Sequence, residues 1–77
     1  GEKIMEIKVI GTNSSNRLKL IKNIKKATDN KINIQLLEKD NKYNITNTPA
    51  LIINDKLISQ GKVLNEREIK KFIEVLA

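Results

Sequence analysis

Met5, Ile7 and Val9 alternate with Glu6 and Lys8, a period-two pattern rich in β-branched residues. It predicts a strand from Ile4 to Ile10. The period then lengthens. From Arg17 to Thr28, the residues Leu18, Leu20, Ile21, Ile24, Ala27 and Thr28 recur at helical spacing, and Lys19, Lys22, Asn23, Lys25 and Lys26 take the outer side. Alternation returns at Ile32, Ile34 and Leu36 against Asn33 and Gln35, which predicts a second strand. Two strands joined by a helix form a parallel unit with a right-handed crossover. The polar stretch from Glu38 to Asn47 has Tyr43 and Ile45 as its apolar anchors and holds at most one helical turn. Ala50-Leu51-Ile52-Ile53 is a continuous apolar run, the signature of a strand buried on both faces. Asn54-Asp55 then makes a two-residue hairpin turn, and Lys56 to Gln60 returns antiparallel until Gly61. The last helix opens with Asn65-Glu66-Arg67-Glu68, spaced as a capping box, and turns Ile69, Phe72, Ile73 and Leu76 inward.

Local signals place the joints. Gly11 permits a tight turn after the first strand. Any of Thr12, Asn13, Ser14 or Ser15 can cap the first helix, and Asn30 tolerates the left-handed conformation that would stop it. Pro49 is acceptable at the start of a strand, where its missing amide breaks no ladder bond. The order strand, helix, strand, weak turn, strand, strand, helix predicts an α/β fold, with residues 1–77 as one domain.

Composition narrows the chemistry. A chain of 77 residues buries only about 60% of its unfolded surface and needs an economical core. Cysteine and histidine are both absent. Disulfides are therefore excluded, the usual nitrogen and sulfur ligands of zinc are missing, and no metal or cofactor is expected. The net charge of +6 comes mostly from lysine. Attraction to nucleic acid is one reading. Scattered lysines and a near-absence of stacking aromatics speak against it, and AT-rich coding explains the Lys, Asn and Ile content. No apolar run nears the ~20 residues of a membrane span, so a membrane is not expected and a cytoplasmic location is.

Three blocks carry a family resemblance: Gly11-Thr12 after the first strand, Thr48-Pro49-Ala50-Leu51-Ile52-Ile53-Asn54-Asp55-Lys56, and Gly61-Lys62-Val63 with Glu68 to Lys71 near the end. In these the chain resembles the thioredoxin and glutaredoxin superfamily, in particular its small redox-active-disulfide proteins. The resemblance implies a three-layer-derived sandwich with a mixed four-stranded sheet in the order 2-1-3-4 and a cis peptide before Pro49. It places the family's two catalytic cysteines on Ser14 and Arg17. Serine ionises too weakly to replace a thiolate, no histidine is present to act as its base, and arginine cannot resolve a mixed disulfide. The family also carries a helix where Glu38 to Asn47 is short. Its reduction implies a thinly covered sheet face, which favours a partner or a homodimer.

The candidate binding residues are Thr12, Asn13, Ser14, Ser15, Asn16 and Arg17 at the helix start, with Asn47, Thr48 and Pro49 facing them. No residue is expected to be catalytic. By the resemblance, the backbone of Thr48 pairs with an extended peptide. The expected function is a non-catalytic module that binds a peptide or protein. The alternative is an oxidoreductase-family member acting with glutathione held at Ser14 and Thr48. A basic adaptor for nucleic acid ranks third. A plainer reading stands beside all of these, since Ser14 and Ser15 serve as helix caps without any ligand.

Overall fold

The computed structural model describes residues 5–39 and 42–76. The strands are β1 (Ile7–Ile10), β2 (Ile34–Leu37), β3 (Ala50–Ile53) and β4 (Lys56–Gln60), and the helices are α1 (Ser15–Ala27) and α2 (Glu66–Leu76). They form one mixed sheet in the order β2-β1-β3-β4. β1 runs parallel to β2 and antiparallel to β3, and β3 pairs antiparallel with β4. The α/β class and strand order are those expected.

The larger core cluster joins Ile7, Val9, Leu51 and Ile53 from the sheet to Leu20 and Ile24 of α1 and Ile69 of α2. Both helices therefore cover the same face. Burying an aliphatic side chain of this size contributes about 1.5–3 kcal/mol, and with no disulfide available this cluster is the main source of stability. Leu64 precedes the α2 cap and Ile69 lies five residues on. Both belong to this cluster, the positions of a hydrophobic staple. The capping box is complete: Glu68 N–H donates to Asn65 Oδ1 at 2.8 Å, and Asn65 N–H donates to Glu68 Oε1 at 3.2 Å. Asn23 Nδ2 donates to the Leu64 carbonyl at 2.9 Å, tying α1 to the start of α2.

Several boundaries differ from the pattern. β1 begins at Ile7 because its pairing begins there, opposite the first residue of β2, Ile34, and the last of β3, Ile53; Ile4 lies outside the described residues. Before that point, Asn54 holds the chain without a ladder. Its N–H donates to the Glu6 carbonyl, and its Oδ1 accepts the Glu6 N–H, both at 2.9 Å. α1 starts two residues early because Ser14 caps it, and Thr28 ends it by donating both its N–H and its hydroxyl to the Ile24 carbonyl. Asp29 and Asn30 then both take positive φ.

Three expected core residues are exposed: Leu18 at 53%, Leu36 at 47% and Phe72 at 38%. Leu18 precedes Leu20 by two residues, which puts it roughly 200° around the helix from the buried stripe. Phe72 flanks the α2 stripe of Ile69, Ile73 and Leu76. Leu36 sits on an edge strand, where the sheet ends.

The opposite face is better covered than expected. Ile10, Ala50 and Ile52 are almost fully buried, with Leu37, Tyr43 and Ile45 packed over them. Residues 42–47 contain turns and no helix. Tyr43 and Ile45 cover this face without a helix.

Polar contacts hold Tyr43 in place. Its hydroxyl donates to Asp55 Oδ1, Lys42 Nζ donates to the same oxygen at 2.8 Å, and the Lys8 and Lys42 ammonium groups stand 5.7 Å and 5.5 Å from the ring centroid. The hydrogen bond from Lys42 and then that from Tyr43 hold the Asp55 carboxyl below its ordinary pKa. The stabilisation from this group is therefore complete above the unfolded-state pKa and is lost as pH falls through the lower folded value. Urea midpoints should drop as the pH goes below about 4, and Asp55→Asn should flatten that part of the profile. An unchanged profile in the variant would remove Asp55 as its source.

Candidate functional site

The turn after β1 and the entry to β3 touch through a glycine. Gly11 has φ +151° and is buried. A Cβ at this position would lie 3.0 Å from Thr48 Cβ and 3.4 Å from Pro49 Cα. A side chain here would crowd Thr48 and Pro49 and would sit at a φ that strains an L-residue. Gly11 is further fixed by its N–H, which donates to the Leu37 carbonyl at 2.8 Å.

The loop of residues 11–17 folds on itself. Ser14 is the N-cap of α1, its Oγ accepting the Arg17 N–H at 3.2 Å. The Arg17 guanidinium turns back, donating through Nη1 to the Gly11 carbonyl at 3.2 Å and through Nη2 to Asn13 Oδ1 at 3.4 Å. Arg17 is thus a brace across the loop. Thr12, Ser15 and Asn16 are exposed, and among the described residues their side chains make no hydrogen bond.

The other side is held from β4. Gln60 Oε1 accepts the Thr46 N–H at 2.9 Å, the Thr46 hydroxyl at 3.2 Å and the Asn47 N–H at 3.2 Å. Gly61, at φ +70°, packs so closely that a Cβ would lie 3.0 Å from Asn47 Cβ, and its N–H donates to the Pro49 carbonyl at 2.9 Å. Residues 47–49 are therefore seated between two glycines, Gly11 and Gly61. The Thr48–Pro49 peptide is cis, Pro49 is buried and Thr48 is exposed. The backbone N–H and C=O of Thr48 make no hydrogen bond to another described residue.

All nine candidate residues thus belong to two segments in contact, and the sequence shows only part of what holds them. Gln60 was missed. In the sequence it is a polar residue at the end of a strand, and nothing local marks it as the acceptor for a loop 13 residues away. The Ser14 cap and the need for Gly11 were visible, the contact partner of Gly11 was not.

The chemistry available here is recognition by backbone groups and small polar side chains. The chain has no thiol of its own. Among the described residues, no three His, Cys, Asp or Glu side chains are grouped to hold a metal ion, and no helix is long and apolar enough to cross a membrane.

The sheet order, the loop at the start of α1 and the proline-led β3 define a class, the thioredoxin-like domains. The sequence profile of the thioredoxin domain family matches residues 5–74. The chain belongs to that family. No curated protein and no solved structure matches it.

Two substitutions probe this arrangement. Gln60→Ala removes the shared acceptor and should cost about 1–2 kcal/mol in urea unfolding, with faster amide exchange at Thr46 and Asn47; Gln60→Glu, which keeps an acceptor, should restore slow exchange. Unaltered exchange in Gln60→Ala would show that the loop is held otherwise. The double variant Ser14→Cys with Arg17→Cys should close an intramolecular disulfide on oxidation, read by thiol titration before and after reduction. Intermolecular crosslinks alone would show that Ser14 and Arg17 are not the positions of the family's cysteine pair.

Proposed function

We propose that this chain is a redox-inactive thioredoxin-family domain that binds an extended peptide or protein segment in the groove between residues 11–17 and 47–49. One observation carries the reading. Thr48 is exposed and, among the described residues, its backbone N–H and C=O have no hydrogen-bond partner, while the segments on either side of it are fixed by Gly11, Gly61 and Gln60. A rigid backbone with a free donor and acceptor is what an extended chain needs for strand-type pairing, and holding it in advance lowers the ordering cost of binding. The serine and asparagine side chains of the loop add polar contacts without a reaction. Ser14 and Arg17 are engaged with the loop itself, which supports a framework role for the two positions where the family's cysteines stand. The basic charge and a cytoplasmic setting fit such a module without defining its partner.

The test is a selection from a random-peptide display library, followed by amide-shift mapping of a selected peptide. Shifts should fall on residues 11–17 and 47–49, and Gly11→Ala, which crowds those segments, should weaken binding at least tenfold. Insulin disulfides should not be reduced, and millimolar glutathione should leave both segments unshifted. Shifts there with glutathione would replace the peptide reading with the glutathione one. Selected peptides that perturb neither segment would overturn both.

A further inference from the structure

The two edges of the sheet are unlike. β4 opens with Lys56 and carries an irregularity in register opposite Leu51 and Ile52, features that discourage pairing with another strand. β2 has neither. Its residues Ile34-Gln35-Leu36-Leu37 pair in regular register with β1, and among the described residues no strand lies on their other side. The Leu37 carbonyl accepts the Gly11 N–H on the β1 side. Backbone groups alternate in direction along a strand, so those of Ile34 and Leu36 turn outward.

Beside this edge runs a groove of about 340 Å³ between β2 and α1, with Ile21, Ile32, Ile34 and Leu36 in its wall. Lys25 and Asn30 line it too. The Asn30 N–H donates to the Lys25 carbonyl at 2.8 Å, which puts Lys25 at the end where β2 begins. Leu36 is 47% exposed, and Leu18, three residues before Ile21 on the same flank of α1, is 53% exposed. Two large apolar side chains thus border one unpaired edge.

We propose that this edge takes a second copy of the chain, β2 pairing antiparallel with β2 about a two-fold axis through Ile34. Such an axis stands perpendicular to the sheet, so both α1 helices lie on one side and residues opposite each other share a face. Centred on Ile34, the register sets Ile34 against itself, Ile32 against Leu36 and Asn33 against Gln35. Apolar meets apolar on the helix face, and amide meets amide on the other. Lys31 meets Leu37, along which its methylene stem can lie. The same register carries Glu38 of the second copy to Asn30, at the end of the groove where Lys25 stands. Among the described residues neither Lys25 nor Glu38 is in an ion pair, and the axis makes that contact twice. Other centres lose the match. About Gln35, Lys31 would face Lys39 and Ile32 would face Glu38; about Asn33, Leu36 would face Asn30. β1 lies between this edge and β3, so the surface at Thr48 is separate and the two readings fail separately.

Sedimentation equilibrium should give twice the 8.8 kDa chain mass, falling to the single mass on dilution. Lys25→Glu and Glu38→Lys, both exposed changes, should each weaken the association at least tenfold, and the two together should restore it. The chain has no cysteine of its own, so crosslinking reads the register directly. Oxidised Ile34→Cys should form a disulfide between copies, because a hydrogen-bonded antiparallel pair sets its Cα atoms about 5.5 Å apart. Gln35→Cys, whose opposite residue is Asn33, should not. A single-chain mass at millimolar protein would overturn the proposal. So would a dimer that both single charge variants leave unchanged, or equal crosslinking of the Ile34→Cys and Gln35→Cys variants.

Discussion

The four side chains of Ala50–Ile53 are withdrawn from solvent on both faces of the sheet, and everything that positions the candidate site hangs from that strand. Leu51 and Ile53 join the helices, while Ala50 and Ile52 lie under Tyr43 and Ile45. Antiparallel pairing with β1 on one side and β4 on the other fixes the strand along its length. Its entry, Pro49, is held wherever that pairing puts it. Its exit, Asn54, reaches across to Glu6 and to the Leu76 carbonyl, fastening the start of β1 and the end of α2. A chain this small, without a disulfide, needs one strand that both layers use at once.

From that anchor the site follows by close approach. Two glycines let the backbone of residues 47–49 lie against the turn after β1 and against the end of β4, at separations where a methyl group would crowd its neighbours. One glutamine side chain then satisfies two consecutive amides before the proline. The loop at the start of α1 is braced in its own way, through the Ser14 cap and the Arg17 guanidinium. Both are structural contacts made within the loop itself. The outcome is a stiff frame around Thr48, whose own backbone groups bond to no other described residue.

The absence of a helix over 42–47 changes how the second face is closed. A helix would cover it with a regular stripe; here Tyr43 does so as a single ring, held at its hydroxyl by Asp55 and flanked by two lysines. Burial at Ile10, Ala50 and Ile52 is nevertheless nearly complete. The exposed apolar surface lies elsewhere, at Leu36 and Leu57 on the two edge strands and along α1 and α2.

The sequence by itself determined whatever depends on a few neighbouring residues. The Asn54-Asp55 turn, the Asn65 to Glu68 capping box, the stop at Asp29-Asn30 and the doubly buried Ala50–Ile53 run are all local, because propensity, period and capping act within one turn or one hairpin. The order of elements and the Thr48-Pro49 block added the family and the sheet order. Only the tertiary structure decided which side of each element another element covers. It exposed Leu18, Leu36 and Phe72, placed Leu37 in the second cluster, started β1 at Ile7 and gave Gln60 its loop. Those outcomes depend on partners far along the chain, and hydrophobic periodicity says that a face is apolar without saying how far the neighbouring layer extends over it.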